Sequence, residues 1–176
     1  MFRRAMMATG IVLALAAGPA AARELAFKAN LSGTTASTAT GSKATGEARI
    51  RVNTDAQTVD VTLNVEGLRI EDLWTNLLHS PMGAIHLHVY GSRDHGGAAD
   101  SALMFPLPYG PNYVATPKGF RVEMKAEPYA AGAKLVNSKA SFDEFVAALS
   151  GGRIVVNIHT NARTDGEISG DVAPAA

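Results

Sequence analysis

The sequence predicts an all-β protein, an antiparallel β-sandwich with one short helix. Seven or eight short segments alternate apolar and polar residues, as strands with one buried face do. Turn-forming residues separate these segments, and only one segment carries the start and stop signals of a helix. The chain of 176 residues, 47% of them hydrophobic, is long enough for one domain with its own core.

The predicted strands follow from this alternation. They are expected at residues 25–31, 48–52, 58–65, 84–91, 102–107, 120–125, 154–160 and 166–172. The second and third form a hairpin around the turn at 53–56, and segment 68–82 is expected to pack over the core as a cover. Four prolines between residues 106 and 117 predict that the chain is irregular there.

The helix is predicted from a capping box. Ser141 can accept a hydrogen bond from the backbone near Glu144, and the Glu144 carboxylate can reach back to Ser141. The apolar residues that follow continue the helix until Ser150-Gly151-Gly152, which ends it.

The N-terminus has the pattern of an export signal. Arg3 and Arg4 precede an apolar stretch over residues 5–17 that is too short to span a membrane. Small residues then offer a cleavage site before Arg23. We therefore expect a signal peptide at 1–22, a mature domain at 23–176 in the periplasm or secreted, and no membrane attachment after cleavage; an uncleaved anchor helix is the alternative.

Composition excludes several classes of function. The formal net charge is +0 and no basic stripe is present, so no nucleic-acid partner is expected. The chain has no cysteine, which excludes disulfides, thiolate metal sites and cysteine nucleophiles. No nucleophile-elbow motif is present, and Glu167 is expected to be a structural carboxylate near a turn, so no catalytic residue is predicted.

Histidines on two strands are the candidate site. His86 and His88 share one face of their strand because side chains alternate, and His159 occupies one face of another strand together with Asn157. If these strands are neighbours, the three imidazoles can bind a metal ion, and Asn157 can fix an imidazole by a hydrogen bond. The alternative is that the histidines are structural.

The donor set leaves the metal open. Imidazoles without thiolates suit copper(II), copper(I) assisted by a methionine, or zinc. Met82 and Met104 are near enough in sequence to be considered as soft ligands, although core filling is the alternative. His79 and His95 flank the same strand and could add a ligand or line an entrance.

Several short motifs follow one another in a defined order. They are Phe27-x-Ala29-x-Leu31-Ser32-Gly33, Ala44-Thr45-Gly46-x-Ala48, Val65-x-Gly67-Leu68, Ile85-His86-Leu87-His88, Val155-Val156-Asn157-Ile158-His159-Thr160 and Gly166-Glu167-Ile168-x-Gly170. In this order and spacing they resemble the chordin-type (CHRD) domain, over nearly the whole of residues 23–176.

The resemblance implies a Greek-key sandwich of the immunoglobulin and copper–zinc superoxide dismutase type. It is a family of extracellular and exported proteins, and the resemblance implies that His86 and His88 occupy the positions of two copper ligands of the dismutase. Two departures stand beside the site: residues 69–83 look like an insertion, and Val89-Tyr90 follow His88 where the family often has a glycine.

Three functional hypotheses follow. The first is an exported protein that binds a metal ion, copper before zinc, through His86, His88 and His159, without turning over a substrate. The second is an interaction module that presents the loop at 92–118 to a protein partner, with structural histidines. The third is a dismutase-like redox enzyme.

Overall fold

A computed structural model describes residues 23–35, 39–91 and 101–175. Its strands are β1 (Glu24–Ser32), β2 (Thr45–Asn53), β3 (Thr58–Glu66), β4 (Ile85–Tyr90), β5 (Ser101–Pro106), β6 (Tyr113–Thr116), β7 (Gly119–Pro128), β8 (Ile154–Ile158), β9 (Ile168–Asp171) and β10 (Ala173–Pro174). Its helices are α1 (Thr75–Leu78), α2 (Tyr129–Leu135) and α3 (Phe142–Ser150), with a 3₁₀ turn at Ile70–Asp72.

The strands form one antiparallel sheet in the order β5-β4-β8-β9-β1-β2-β3-β7-β6, with β10 beside β1. The connections from β3 to β4 and from β7 to β8 cross between distant strands, as in Greek-key folds. The sheet curls around one core to which strands from both of its halves contribute, so the two halves face each other like the layers of a sandwich. The all-β, antiparallel prediction is confirmed.

The core follows the alternation seen in the sequence. Along β1, β2 and β3 every second residue is buried and the residues between them face solvent or are half-buried. The buried residues are Phe27, Ala29, Leu31, Ala48, Ile50, Val52, Val59, Val61, Leu63 and Val65. Such alternation fixes the register, because a slip by one residue would turn every apolar side chain to the outside.

Helix α3 begins with the predicted capping box. The Ser141 hydroxyl accepts a hydrogen bond from the Glu144 backbone amide at 3.2 Å, and the Glu144 carboxylate accepts one from the Ser141 amide at 2.7 Å. Phe145 and Leu149 bury the apolar face of the helix in the core. The prediction of this helix is confirmed.

Helix α2 was not predicted. It lies against both β5 and β7, near the two ends of the sheet. The Tyr129 ring stacks on Phe145 with 4.8 Å between ring centroids. A Cβ atom on Gly132 would come within 2.3 Å of the Phe105 ring, so only glycine allows the helix to approach β5 this closely.

Strand β6 corrects the prediction that the proline-containing stretch is irregular. Residues 113–116 pair with β7 through a short turn in which Thr116 is opposite Gly119. Pro111 and Pro117 flank the strand, where no backbone donor is required of them. The segment 92–118 is therefore not one long loop: residues 92–100 lie outside the described residues, and β5 and β6 occupy much of the rest.

Candidate metal centre

Two neighbouring strands bring the three predicted histidines together. Strand β4 pairs with β8, with His86 opposite Asn157, and His159 directly follows β8. The His159 backbone amide still donates to the Ala84 carbonyl at 2.9 Å, so the pairing continues to this residue. One ring nitrogen from each of His86, His88 and His159 lies within 4.8 Å of the other two.

Backbone carbonyls define which nitrogens are available. The Gly83 carbonyl lies 3.0 Å from Nε2 of His86, and the Thr164 carbonyl lies 2.7 Å from Nδ1 of His159. A carbonyl oxygen can only accept, so these two nitrogens carry the protons and Nδ1 of His86 and Nε2 of His159 keep their lone pairs. These two atoms and Nε2 of His88 are buried and have no hydrogen-bond partner in the described part of the chain.

The pocket favours uncharged imidazoles. Burial, with the charges of His159 and His88 second, lowers the pKa of His86 to about 3. Burial and the charge of His159 lower the pKa of His88 to about 4. Burial also lowers the pKa of His159, although the Thr164 carbonyl and Asp165 act in the opposite direction. All three are therefore neutral near pH 7, which is the form that binds a metal.

The insertion-like segment 69–83, which we call the strap, covers one side of the cluster. The Trp74 backbone amide donates to the His159 carbonyl at 3.0 Å, and Leu73 forms a β-bridge with Thr160. The Trp74 ring centroid is 6.4 Å from that of His159. Leu73 is fully buried, so the segment packs as the cover that the sequence analysis expected.

A turn after His159 supports its ring. The Asn157 side chain donates to the Asp165 carbonyl at 3.2 Å and lies against Gly166, where a Cβ atom would come within 2.2 Å of Oδ1 of Asn157. Asn157 therefore holds the turn whose Thr164 carbonyl orients His159, rather than binding an imidazole as expected. Its Oδ1 atom is buried and unpartnered among the described residues.

Glu167 also stabilises this turn through hydrogen bonds. Its carboxylate accepts hydrogen bonds from the Thr160 hydroxyl at 2.7 Å and the Ser42 hydroxyl at 2.8 Å. Both contacts join the turn to neighbouring segments of the chain.

Two of the remaining candidates, His79 and Met104, contact residues outside the cluster. His79 is exposed and packs edge-on against Tyr109, with 5.7 Å between ring centroids. Met104 is buried in the core, where its sulfur lies 3.8 Å from the Ser138 hydroxyl. Met82 is half-buried in the strap, and His95 lies outside the described residues. In the part of the chain that the structure describes, these three histidines are the one cluster of three or more histidine or acidic side chains close enough to bind a shared metal ion.

Sequence reasoning missed the residues that support the histidines. Gly83 and Thr164 act through backbone carbonyls, for which side-chain type gives no signal. Gly83 has a φ of +69°, and a Cβ atom there would come within 2.5 Å of the Leu107 carbonyl. The one signal in the sequence was the position of Gly83 directly before the predicted strand 84–91, since a glycine there can indicate a backbone conformation or close contact that other residues do not allow.

The model of the CHRD domain family matches residues 27–172. The chain therefore belongs to the CHRD domain family, as the motifs indicated. No curated protein and no solved structure matches the chain significantly. Over the described residues, no helix has both the length and the apolar character needed to cross a membrane.

Proposed function

We propose that the protein binds one metal ion through His86, His88 and His159, with copper favoured and zinc second, as an exported metal-binding protein. The observation that carries the proposal is a set of three imidazoles, each with one buried ring nitrogen that has no hydrogen-bond partner among the described residues, and each with a ring nitrogen within 4.8 Å of the other two. Buried polar atoms are nearly always satisfied, and a shared cation satisfies all three at once.

The donor set fits a small transition-metal ion. Metal–nitrogen bonds of about 2.0–2.1 Å require ligand nitrogens roughly 3.3–3.6 Å apart. The nitrogens lie within 4.8 Å of one another, so modest ring movements would close the site. Copper(II) binds nitrogen ligands more tightly than zinc in the usual order of affinities, which places copper first.

The test is metal binding by protein purified after expression of the full chain. Copper and zinc content and chelator-competition affinity are measured for the parent, for a His86→Ala/His88→Ala/His159→Ala variant, and for His79→Ala as a matched control on an exposed histidine. We expect one tightly bound ion in the parent and in His79→Ala, and loss of binding in the triple variant with its circular dichroism spectrum retained.

Weak binding that is equal in all three proteins would overturn the proposal. The histidines would then be structural, and the hypothesis of a protein-interaction module, with its partner surface in the region 92–118, would take precedence.

Export is the second part of the proposal. It rests on the charged, apolar and small-residue regions of segment 1–22. Mass spectrometry of the protein from a periplasmic or culture fraction should show an N-terminus at Arg23. An intact Met1 in a membrane fraction would instead support an uncleaved anchor.

A further inference from the structure

We infer that the three-histidine site selects monovalent copper over divalent copper and zinc. This inference rests on the proposed function and specifies the ion that the same site receives. It follows from four features of the cluster: the charge of the donors, the absence of a nearby anionic ligand among the described residues, burial, and the number of donors.

The donors are neutral. Two of the three imidazoles have their second nitrogen bound to a backbone carbonyl, at 3.0 Å for His86 and 2.7 Å for His159. Losing that proton to form an imidazolate would break the hydrogen bond and place two acceptors against each other. These two rings therefore bring no negative charge to a bound cation.

No anion completes the set within the described residues. The group contains histidines alone, and no aspartate or glutamate of the described residues joins it. Asp165 is near enough for its charge to raise the pKa of His159, but it lies exposed in the turn and is not a member of the histidine group.

Burial then discriminates by charge. His86 is 2% exposed and His159 is 8% exposed, and the unpartnered nitrogens do not reach solvent. The cost of transferring an ion from water to a low-dielectric site grows with the square of its charge, so a divalent ion pays about four times the cost of a monovalent one of equal size.

Coordination number acts in the same direction. Zinc is almost always four-coordinate in proteins, and copper(II) prefers square-planar or tetragonal sites. The described residues supply three nitrogens to the group, and these nitrogens are shielded from the water that would otherwise complete the coordination of a divalent ion, whereas copper(I) is stable with three ligands. Burial thus acts twice, through the charge of the ion and through its coordination number, and both effects favour the monovalent ion.

The first experiment measures the affinities of the parent protein. Copper(I) is titrated anaerobically against bicinchoninate, and copper(II) and zinc are titrated against nitrilotriacetate. We expect copper(I) to bind at least about 100-fold more tightly than copper(II). At 59 mV per tenfold change, this ratio places the reduction potential of the bound copper(II)/copper(I) couple at least about 120 mV above that of the same couple in water. Copper(II) or zinc affinity equal to or above that of copper(I) would overturn the inference.

A second experiment adds the missing charge. Asn157 is opposite His86 on the paired strand and two residues before His159, so Asn157→Asp adds a carboxylate next to the cluster. Because the change also removes the side-chain hydrogen bond to the Asp165 carbonyl, Asn157→Leu, which loses that bond without adding charge, is measured as the reference. We expect the preference for copper(I) to fall at least about 10-fold, equivalent to a potential lowered by about 59 mV. Asn64→Asp on the exposed face of β3 is the matched control and should leave the ratio unchanged. An unchanged ratio in a folded Asn157→Asp protein would count against the charge argument.

The two proposals fail in different ways. If no ion binds in a histidine-dependent manner, the metal site itself is wrong. If copper(II) or zinc binds tightly and the triple histidine variant abolishes it, the metal site stands and the selection of copper(I) is wrong.

Discussion

Single hydrogen bonds determine the chemistry of the histidine cluster. The carbonyls of Gly83 and Thr164 hold the protons of His86 and His159 on the nitrogens that point away from the cluster. His86 therefore offers Nδ1 and His159 offers Nε2. Fixed tautomers of this kind raise ligand basicity and orient the rings before an ion arrives.

The lowered pKa values make the stability of the metal-free protein depend on pH. An unfolded histidine has a pKa near 6.5, so the unfolded chain takes up protons below that pH while the folded cluster stays neutral. Stability is therefore complete above about pH 6.5 and decreases as pH falls. From pH 7.5 to 5.5 we expect His86 and His88 together to cost about 2.5–3 kcal/mol in free energy of unfolding, and His159 acts in the same direction.

Urea unfolding of metal-free protein at these pH values measures the effect. The triple histidine variant should lose most of the pH dependence, and His79→Ala should retain it. A parent protein that is as stable at pH 5.5 as at pH 7.5 would show that the histidines are not buried in their neutral form.

Gly166 is predicted to be essential to the turn beside His159. Its φ is +121°, and a Cβ atom there would come within 2.2 Å of Oδ1 of Asn157. We expect Gly166→Ala to cost about 2–4 kcal/mol in free energy of unfolding and to weaken metal binding, because the Thr164 carbonyl must shift. Chemical denaturation and metal titration measure the two effects.

Gly41→Ala is the matched control for backbone strain. Gly41 has a φ of +74° with no atom within 4 Å of the added Cβ, so it should cost only about 1 kcal/mol. Equal effects of the two substitutions would mean that contact with Asn157 does not matter.

At the scale of elements, the site depends on the pairing of β4 with β8. Alternation in the sequence correctly assigns the histidines to faces of their strands, since that needs only the period of a strand. Which strands are neighbours depends on contacts about seventy residues apart, for which one sequence holds no local signal. The meeting of the three histidines could therefore be proposed from the sequence, but only the structure brings them together.

The strap is predicted to be held in place by Asn161. The Asn161 side chain accepts from the Thr75 amide at 3.0 Å and donates to the Leu73 carbonyl at 3.1 Å. We expect Asn161→Ala to loosen the strap, increase hydrogen exchange over residues 69–83 and shift Trp74 fluorescence to longer wavelength, with a cost of about 1–3 kcal/mol. Trp74 is the single tryptophan of the chain, so the emission reports on the strap alone.

Asn64→Ala provides the comparison for this experiment. Asn64 is exposed on β3, away from the strap, and its replacement should change neither exchange nor fluorescence. If Asn161→Ala behaves like Asn64→Ala, the hydrogen bonds of Asn161 do not hold the strap.

For the whole molecule, metal binding and folding should be linked. A ligand present at about 1,000 times its dissociation constant stabilises the folded state by about 4 kcal/mol. For a domain of this size that corresponds to a rise in Tm of roughly 8–16 °C. Differential scanning calorimetry with the tighter-binding copper ion should show this rise in the parent and none in the triple histidine variant; equal rises would place the binding elsewhere.

The architecture was predictable where local patterns suffice. Strands β1 to β3 and helix α3 follow from alternation and from the Ser141–Glu144 capping box. Strand β6 and helix α2 were missed because their form comes from tertiary contacts: β6 is short and flanked by prolines, and α2 depends on the fit of Gly132 against Phe105. Packing of this kind overrides local propensity.

The spacing of the three histidines along the chain also determines when during synthesis the cluster can form. His86 and His88 leave the ribosome about seventy residues before His159, and β8, which His159 follows, lies beside β4 in the finished sheet. A partly made chain holds at most two of the three donors. The proposed site is therefore complete only after synthesis of the chain has passed His159, so we expect any ion that it binds to come from the compartment where the finished protein folds.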